Sequence, residues 1–278
     1  MTGVERIAEA FESARANGRR AALMPYLMGG FPDLDASRRI GLAYAEAGAD
    51  LVELGVPFSD PLADGPVIHA AGTVALRAGA TVQGVLDVGR AIAERVPVVV
   101  MCYANPIYAR GFERFADALV DAGASGLIVP DLPLEEAAAA LAACDDRGLA
   151  LVPLVAPTTP EERLVRIGAQ ARGFVYAVSL TGTTGERAGV TDGLARVVGR
   201  AAANTTVPVA VGFGISTADQ AAAAADAGAE GVIVGSRLVR AAGEGDDPVA
   251  AVGALVRELS TGLLGGRKLN GPGDSPLS

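Results

Sequence analysis

The chain has 278 residues, half of them hydrophobic, with 32 acidic against 23 basic side chains and a formal net charge of -9. That length and apolar share suit one large α/β domain with a substantial core. The acidic balance argues against a nucleic-acid groove or an anionic membrane surface as partner. No apolar run approaches the ~18 residues needed to span a bilayer. The N-terminus shows no signal-peptide pattern, so a cytoplasmic location is expected.

Val4 to Asn17 places Ile7, Phe11 and Ala14 on one helical face and Glu5, Glu9 and Arg15 on the other, which predicts an N-terminal helix. Ala21 to Leu27 reads as the first strand, followed by a Gly29-Gly30 loop and a helix over Leu34 to Ala47. Leu51 to Leu54 is the second strand; a long loop separates it from a helix over Val82 to Glu94. Further strands are expected at Val96–Met101, Gly126–Val129, Ala150–Val155, Phe174–Ser179, Val207–Val211 and Gly231–Val234. Helices over Phe112–Ala122, Leu134–Asp146, Glu161–Ala169, Leu194–Asn204, Thr217–Ala227 and Pro248–Ser260 alternate with them.

Eight strands, each followed by a helix, predict a (β/α)8 TIM barrel with an additional N-terminal helix, in a length near the ~250 residues usual for that fold. A repeated phrase supports the count. Ala47-Gly48-Ala49, Ala122-Gly123-Ala124 and Ala227-Gly228-Ala229 each end a helix, where Gly suits the left-handed C′ position. An open doubly wound sheet is the rival, but no Gly-x-Gly-x-x-Gly opens the first helix. Residues 1–264 are read as one barrel domain, and the Gly- and Pro-rich residues 265–278 as a disordered tail.

The scarce residues narrow the chemistry. There is one His, His69, two well-separated Cys, Cys102 and Cys144, and one Lys, Lys268, in the tail. One His without a Ser or Cys motif argues against a nucleophilic triad. One His and two Cys cannot make a zinc site of the usual N/S ligands. The two Cys read as small buried hydrophobes and His69 as a rim residue. A Schiff-base amine in the tail is improbable chemistry. Carboxylates are left to carry any reaction.

Leu51 to Pro66, Leu-Val-Glu-Leu-Gly-Val-Pro-Phe-Ser-Asp-Pro-Leu-Ala-Asp-Gly-Pro, supplies them. Glu53 sits inside an apolar strand, and Asp60 and Asp64 follow in a polar loop. A carboxylate buried in such a strand must be paired, protonated or put to use. A structural ion pair or a wet strand end would satisfy Glu53 equally well. At the other side of the expected barrel, Gly212-Phe213-Gly214-Ile215-Ser216 follows strand seven and Gly235-Ser236-Arg237 follows strand eight. Glycines before helix N-termini at those strand ends suit a phosphate ligand. Ser216 with Asp219 also reads as an ordinary helix start. Thr181 to Gly189 forms a third Gly-rich loop, suited to closing over a ligand or simply flexible.

Glu53 to Pro66, Tyr176 to Gly185, Gly212 to Ser216 and Gly235-Ser236 together resemble the tryptophan synthase alpha subunit family, from the first helix to the last. The resemblance implies a (β/α)8 barrel and reversible retro-aldol cleavage of indole-3-glycerol phosphate to indole and glyceraldehyde 3-phosphate. It implies Glu53 as general acid/base and Asp64 as second catalytic residue. It places phosphate contacts on Gly185, Gly214, Gly235 and Ser236, a lid residue on Thr184, and pocket walls on Tyr26 and Tyr176. Met28 and His69 depart from the family, where Thr and Gln are frequent. A tryptophan synthase beta subunit carrying pyridoxal phosphate is the implied partner, in an α2β2 assembly, with no cofactor or metal in this chain. Pro57 to Asp64 and Asn105 to Tyr108, with exposed-looking Phe58 and Ile107, are the implied contact.

The residue inventory suits that reaction. Protonation at C3 turns the indole ring into its own electron sink, so neither a Lys imine nor a metal is needed. The assignment requires Glu53 to be the more basic carboxyl of the pair. Two alternatives stand: another phosphosugar enzyme on the same barrel, or a non-catalytic activator of a beta subunit.

Overall fold

The structure, a computed structural model, describes residues 1–178, 187–212 and 214–265. Among the described residues nine strands pair in parallel: β1 (Ala22–Met28), β2 (Val52–Gly55), β3 (Val98–Met101), β4 (Gly126–Ile128), β5 (Ala150–Leu151), β6 (Leu154–Val155), β7 (Val175–Val178), β8 (Val209–Gly212) and β9 (Gly231–Val234). Their order is β5-β4-β3-β2-β1-β9-β8-β7-β6. The two ends of that order are halves of one stretch. The Val152 N–H donates to Leu127 O on one side (2.9 Å), and Pro153 O accepts from the Tyr176 N–H on the other (2.9 Å). The stretch expected as a single fifth strand thus closes the barrel in two pieces, interrupted where Pro153 has no N–H to donate.

The surrounding helices are α1 (Gly3–Ala16), α2 (Leu34–Glu46), α3 (Pro66–Arg77), α4 (Val82–Ala93), α5 (Ala104–Tyr108), α6 (Phe112–Asp121), α7 (Ala138–Asp145), α8 (Glu161–Gln170), α9 (Arg187–Ala202), α10 (Ala218–Asp226), α11 (Ser236–Gly243) and α12 (Pro248–Gly262). Gly48, Gly123 and Gly228 have φ of +102°, +69° and +99°, the left-handed helix stop that the repeated Ala-Gly-Ala phrase predicts. A 3-10 turn at Leu134–Glu136 precedes α7, so the long Ala-rich helix expected there is shorter.

Three helices go beyond the sequence reading. α3 occupies what reads as loop; its buried Ile68, Ala71, Gly72 and Ala75 follow helical spacing, but small residues make the pattern faint. α5 has five residues with Pro106 in its first turn, where a missing N–H costs nothing. α11 starts directly from β9 through Gly235. α9 begins at Arg187, so Arg187 to Gly189 belong to helix and not to the Gly-rich loop.

Side-chain alternation along the strands decides what faces inward. Val52 and Leu54 point outward into the helix-facing core, while Leu51 points into the barrel. Helix α1 closes the N-terminal end from below with Ile7, Phe11 and Ala14, and the Phe11 and Phe174 rings lie 6.0 Å apart. These side chains pack with Leu51, Val99, Ile128, Ala150, Phe174, Ala210 and Ile233. The lower barrel is therefore solid, and open space remains only toward the C-terminal strand ends.

Candidate active site

Two residues beyond Leu51, the same inward alternation delivers Glu53 into that space. It stands in register with Tyr26 on β1 and Val99 on β3. A cavity of about 500 Å³ opens there, lined by Glu53 and Asp64 together with Tyr26, Tyr176, Gly214, Gly235 and Ser236. Seven of the nine site residues read from the sequence thus meet in one cavity. The other two, Thr184 and Gly185, lie outside the described residues.

Glu53 is 2% exposed, and its Oε2 has no hydrogen-bond partner among the described residues. The structural ion pair that would have explained it is not formed there. Burial pushes its carboxyl up to about 8, and the neighbouring Asp64 charge adds to the effect. At neutral pH Glu53 therefore carries its proton.

Asp64 lies one residue before the Gly65 cap of α3, in the half-open loop after β2. Its Oδ1 accepts from the Tyr103 hydroxyl at 2.9 Å, and that hydroxyl in turn accepts from the Ala63 N–H at 3.0 Å. Phe58 stacks on the Tyr103 ring with centroids 5.4 Å apart. Burial raises the Asp64 carboxyl, while the Tyr103 hydrogen bond and the nearby His69 pull it down. Two carboxyls in one cavity thus receive different surroundings: an apolar, unpartnered one and a hydrogen-bonded, half-exposed one.

Two tyrosines stand in the cavity wall, each lying over a strand glycine. A Cβ at Gly55 would fall on the Tyr26 hydroxyl, and one at Gly212 on the Tyr176 hydroxyl. Both phenols are held well above their usual range by burial, with Asp64 and Glu53 adding to it at Tyr26 and Glu53 at Tyr176. The Tyr26 hydroxyl meets Met28 Sδ at 3.9 Å, and Met28 packs in one buried apolar cluster with Tyr26, Ile68, Ala71 and Val239.

The opposite wall is formed by strand ends and helix starts. Gly212 and Gly214, with Ile215 and Ser216, line it from the end of β8. Gly214 adopts φ +55°, a conformation that favours glycine. The cap of α10 is Thr217 and not Ser216; Thr217 accepts from the Gln220 N–H, and Ser216 bonds to Gln220 Oε1. Gly235 and Ser236 open α11, whose first turn has no side-chain cap. Its leading N–H groups are available to an anion.

Sequence reasoning missed Arg237 and Arg240 in the cavity lining, and Tyr103, which holds Asp64 by a hydrogen bond. Tyr103 follows the end of β3, the kind of position where barrels carry function, and that was its available signal. His69 is exposed, in line with a rim residue. Cys102 and Cys144 are buried thiols pushed up to about 12, inert as nucleophiles. Among the described residues no cluster of three or more His, Cys, Asp or Glu suits a metal ion. A separate apolar hollow of about 210 Å³ beside Pro153 has no carboxylate in its lining.

A carboxyl pair opposite an uncapped helix start is the arrangement that comparison with known proteins makes specific. The family model for the tryptophan synthase alpha chain matches residues 11–260. The chain belongs to that family. The alpha chain of Synechococcus elongatus is 48% identical over 255 residues, covering 91% of this chain and 95% of that protein. That of Methanosarcina mazei is 46% identical, covering 93% and 94%. Among solved structures, a chain of tryptophan synthase from M. tuberculosis superposes with a TM-score of 0.85 at 42% identity, covering 94% of this chain and 99% of that one. The alpha subunit from Legionella pneumophila gives a TM-score of 0.84 at 36% identity.

One surface expectation needs correction. Ile107 is 0% exposed and belongs to the core, because α5 turns it inward. Leu62 (84% exposed) and Tyr108 (52%) are the apolar side chains that those two segments present to solvent.

Proposed function

We propose that Glu53 and Asp64 are the acid/base pair with which this lyase of the tryptophan synthase alpha chain family cleaves indole-3-glycerol phosphate. The observation that carries the assignment is Glu53: buried, unpartnered at Oε2 among the described residues, protonated at neutral pH, and facing the cavity that Asp64 also lines.

The proton balance closes on one residue. The Glu53 acid gives its proton to indole C3, which converts the ring to an indolenine. Its carboxylate then takes the proton of the C3′ hydroxyl as the C3–C3′ bond breaks. The bond electrons return to the ring, a carbonyl forms on glyceraldehyde 3-phosphate, and Glu53 ends protonated as it began. Asp64, as the anion, accepts the indole N–H and stabilises positive charge growing on that nitrogen. Burial of Glu53 supplies the basicity that this two-way transfer needs. Gly214, Gly235 and Ser236 hold the phosphate through backbone N–H groups and a hydroxyl. The family resemblance assigns a further phosphate contact to Gly185 and a lid role to Thr184, both outside the described residues. Tyr26 and Tyr176 form the walls around the indole. None of these steps draws on a metal or cofactor within this chain.

Membership of the family implies a beta-subunit partner. We read the assembly as α2β2, with pyridoxal phosphate in the beta subunit and with Pro57–Asp64 and Asn105–Tyr108 as the contact. The exposed Leu62 and Tyr108 and the stacked Phe58 support that surface. Residues 1–264 are taken as one catalytic domain in a cytoplasmic enzyme. No helix among the described residues is long and apolar enough to cross a membrane. Indole release from indole-3-glycerol phosphate, measured for wild type and Glu53→Gln with and without a beta subunit, tests the reading. Collapse in the variant is expected; near-full activity would overturn the assignment. Loss of indole release in both proteins would favour a different phosphosugar reaction.

A further inference from the structure

We infer that Arg237 and Arg240 pair with the substrate phosphate and set how tightly phosphorylated substrates are held, a role that rests on the phosphate end proposed above. α11 carries Leu238, Val239, Ala241 and Ala242 on its buried side, packed toward α3, α12 and β1. Arg237 and Arg240, three residues apart, share another face. Both line the cavity beside Gly235 and Ser236. They are the only cationic side chains in its lining among the described residues.

Charge balance gives them a part in holding the phosphate. A phosphate monoester carries roughly two negative charges at neutral pH. The start of a helix offers about half a positive charge, and it falls off within a turn. The remaining lining contributes the Asp64 carboxylate, and the whole chain carries -9. Backbone N–H groups alone would have to hold a dianion against that field. Two guanidinium forks at the same wall remove the imbalance and match phosphate geometry in pairs of hydrogen bonds. Nor are they engaged elsewhere: among the described residues neither makes an ion pair, whereas Arg147 meets Asp117 and Arg163 meets Glu135. Arg237 is half-buried and Arg240 exposed at the mouth, so Arg237 is the nearer anchor and Arg240 the steering charge.

The test uses the full chain as Arg237→Gln, Arg240→Gln, the double variant, and the charge-keeping Arg237→Lys and Arg240→Lys. KM is measured for indole-3-glycerol phosphate in cleavage, and separately for glyceraldehyde 3-phosphate and for indole in the reverse condensation. Each Gln variant is expected to raise KM for both phosphorylated substrates about three- to tenfold, with kcat within about twofold and KM for indole unchanged. Lys is expected to recover part of the loss. Wild-type KM should rise with salt, and that dependence should flatten in the double variant. An equal rise in KM for indole, or no change for either phosphorylated substrate, would overturn the proposal. Calorimetric binding of glycerol 3-phosphate separates it from the catalytic reading, because no turnover is involved. Weakened binding in the double variant upholds the arginine role even if indole-3-glycerol phosphate is not cleaved. Undiminished binding in that variant, or no binding by wild type, rejects it.

Discussion

The Tyr103 hydroxyl donates to Asp64 Oδ1 at 2.9 Å while accepting the Ala63 N–H at 3.0 Å, so one side chain from the end of β3 fixes the loop that follows β2. The bond also favours the Asp64 anion, against the burial that raises its carboxyl. Tyr103→Phe should therefore raise the Asp64 carboxyl further. In the proposed mechanism Asp64 works as the anion, so cleavage should be lost as pH falls through its titration, and that acid limb should move upward in the variant. Loss of one hydrogen bond to a half-exposed charge should lower cleavage at pH 7 about three- to tenfold. A pH series of kcat/KM checks this; an unmoved acid limb would show that the bond does not tune Asp64.

Glu53 should also be visible in stability. Its carboxyl titrates at about 8 when folded against 4.5 as the reference. The folded state thus holds a proton that the unfolded chain releases. The cost of Glu53 is absent below pH ~4.5, grows as pH rises, and is complete above pH ~8. Its slope is at most about 1.4 kcal/mol per pH unit. Glu53→Gln removes that slope, so denaturant midpoints of variant and wild type should diverge in the variant's favour between pH 5 and 8. A difference constant across this window would show that the buried carboxyl titrates normally.

Two glycines of the site should respond differently to the same change. Among the described residues a Cβ at Gly235 would meet nothing nearer than Tyr26 Cβ at 3.7 Å and Ile68 Cδ1 at 3.9 Å, ordinary contacts. Gly235→Ala should fold with nearly unchanged stability yet weaken phosphate binding, because in the proposed site the ligand approaches the backbone there. A Cβ at Gly212 would strike the Tyr176 hydroxyl. Gly212→Ala should cost about 1–3 kcal/mol through displacement of that ring. Thermal unfolding and glycerol 3-phosphate titration of both variants check the contrast.

Much of this site was legible because strand alternation and strand ends carry it. A lone Glu in Leu-Val-Glu-Leu, and Gly pairs after strands seven and eight, are local patterns with a fixed place in a barrel. What escaped reading depends on neighbours distant in sequence. Tyr103 matters through Asp64, 39 residues away. Arg237 and Arg240 gain their meaning from α11, a short helix whose face is set by packing against α3 and β1. α3 itself buries Ala and Gly more than large residues, so its periodicity is weak until its partners are known. Ile107 shows the opposite error: an apolar residue in a Pro-containing segment looks exposed until the short helix turns it into the core.

The proton on Glu53 is the centre of this account, and the pH dependence of single-turnover cleavage of indole-3-glycerol phosphate tests it most directly. In the proposed mechanism the reaction starts from the acid form, so the rate should hold through neutral pH and fall above about 8, the value to which burial pushes Glu53. Glu53→Gln should show no such limb above a residual rate. A rate that stays level beyond pH 9, or a basic limb that persists in Glu53→Gln, would assign the proton to another group.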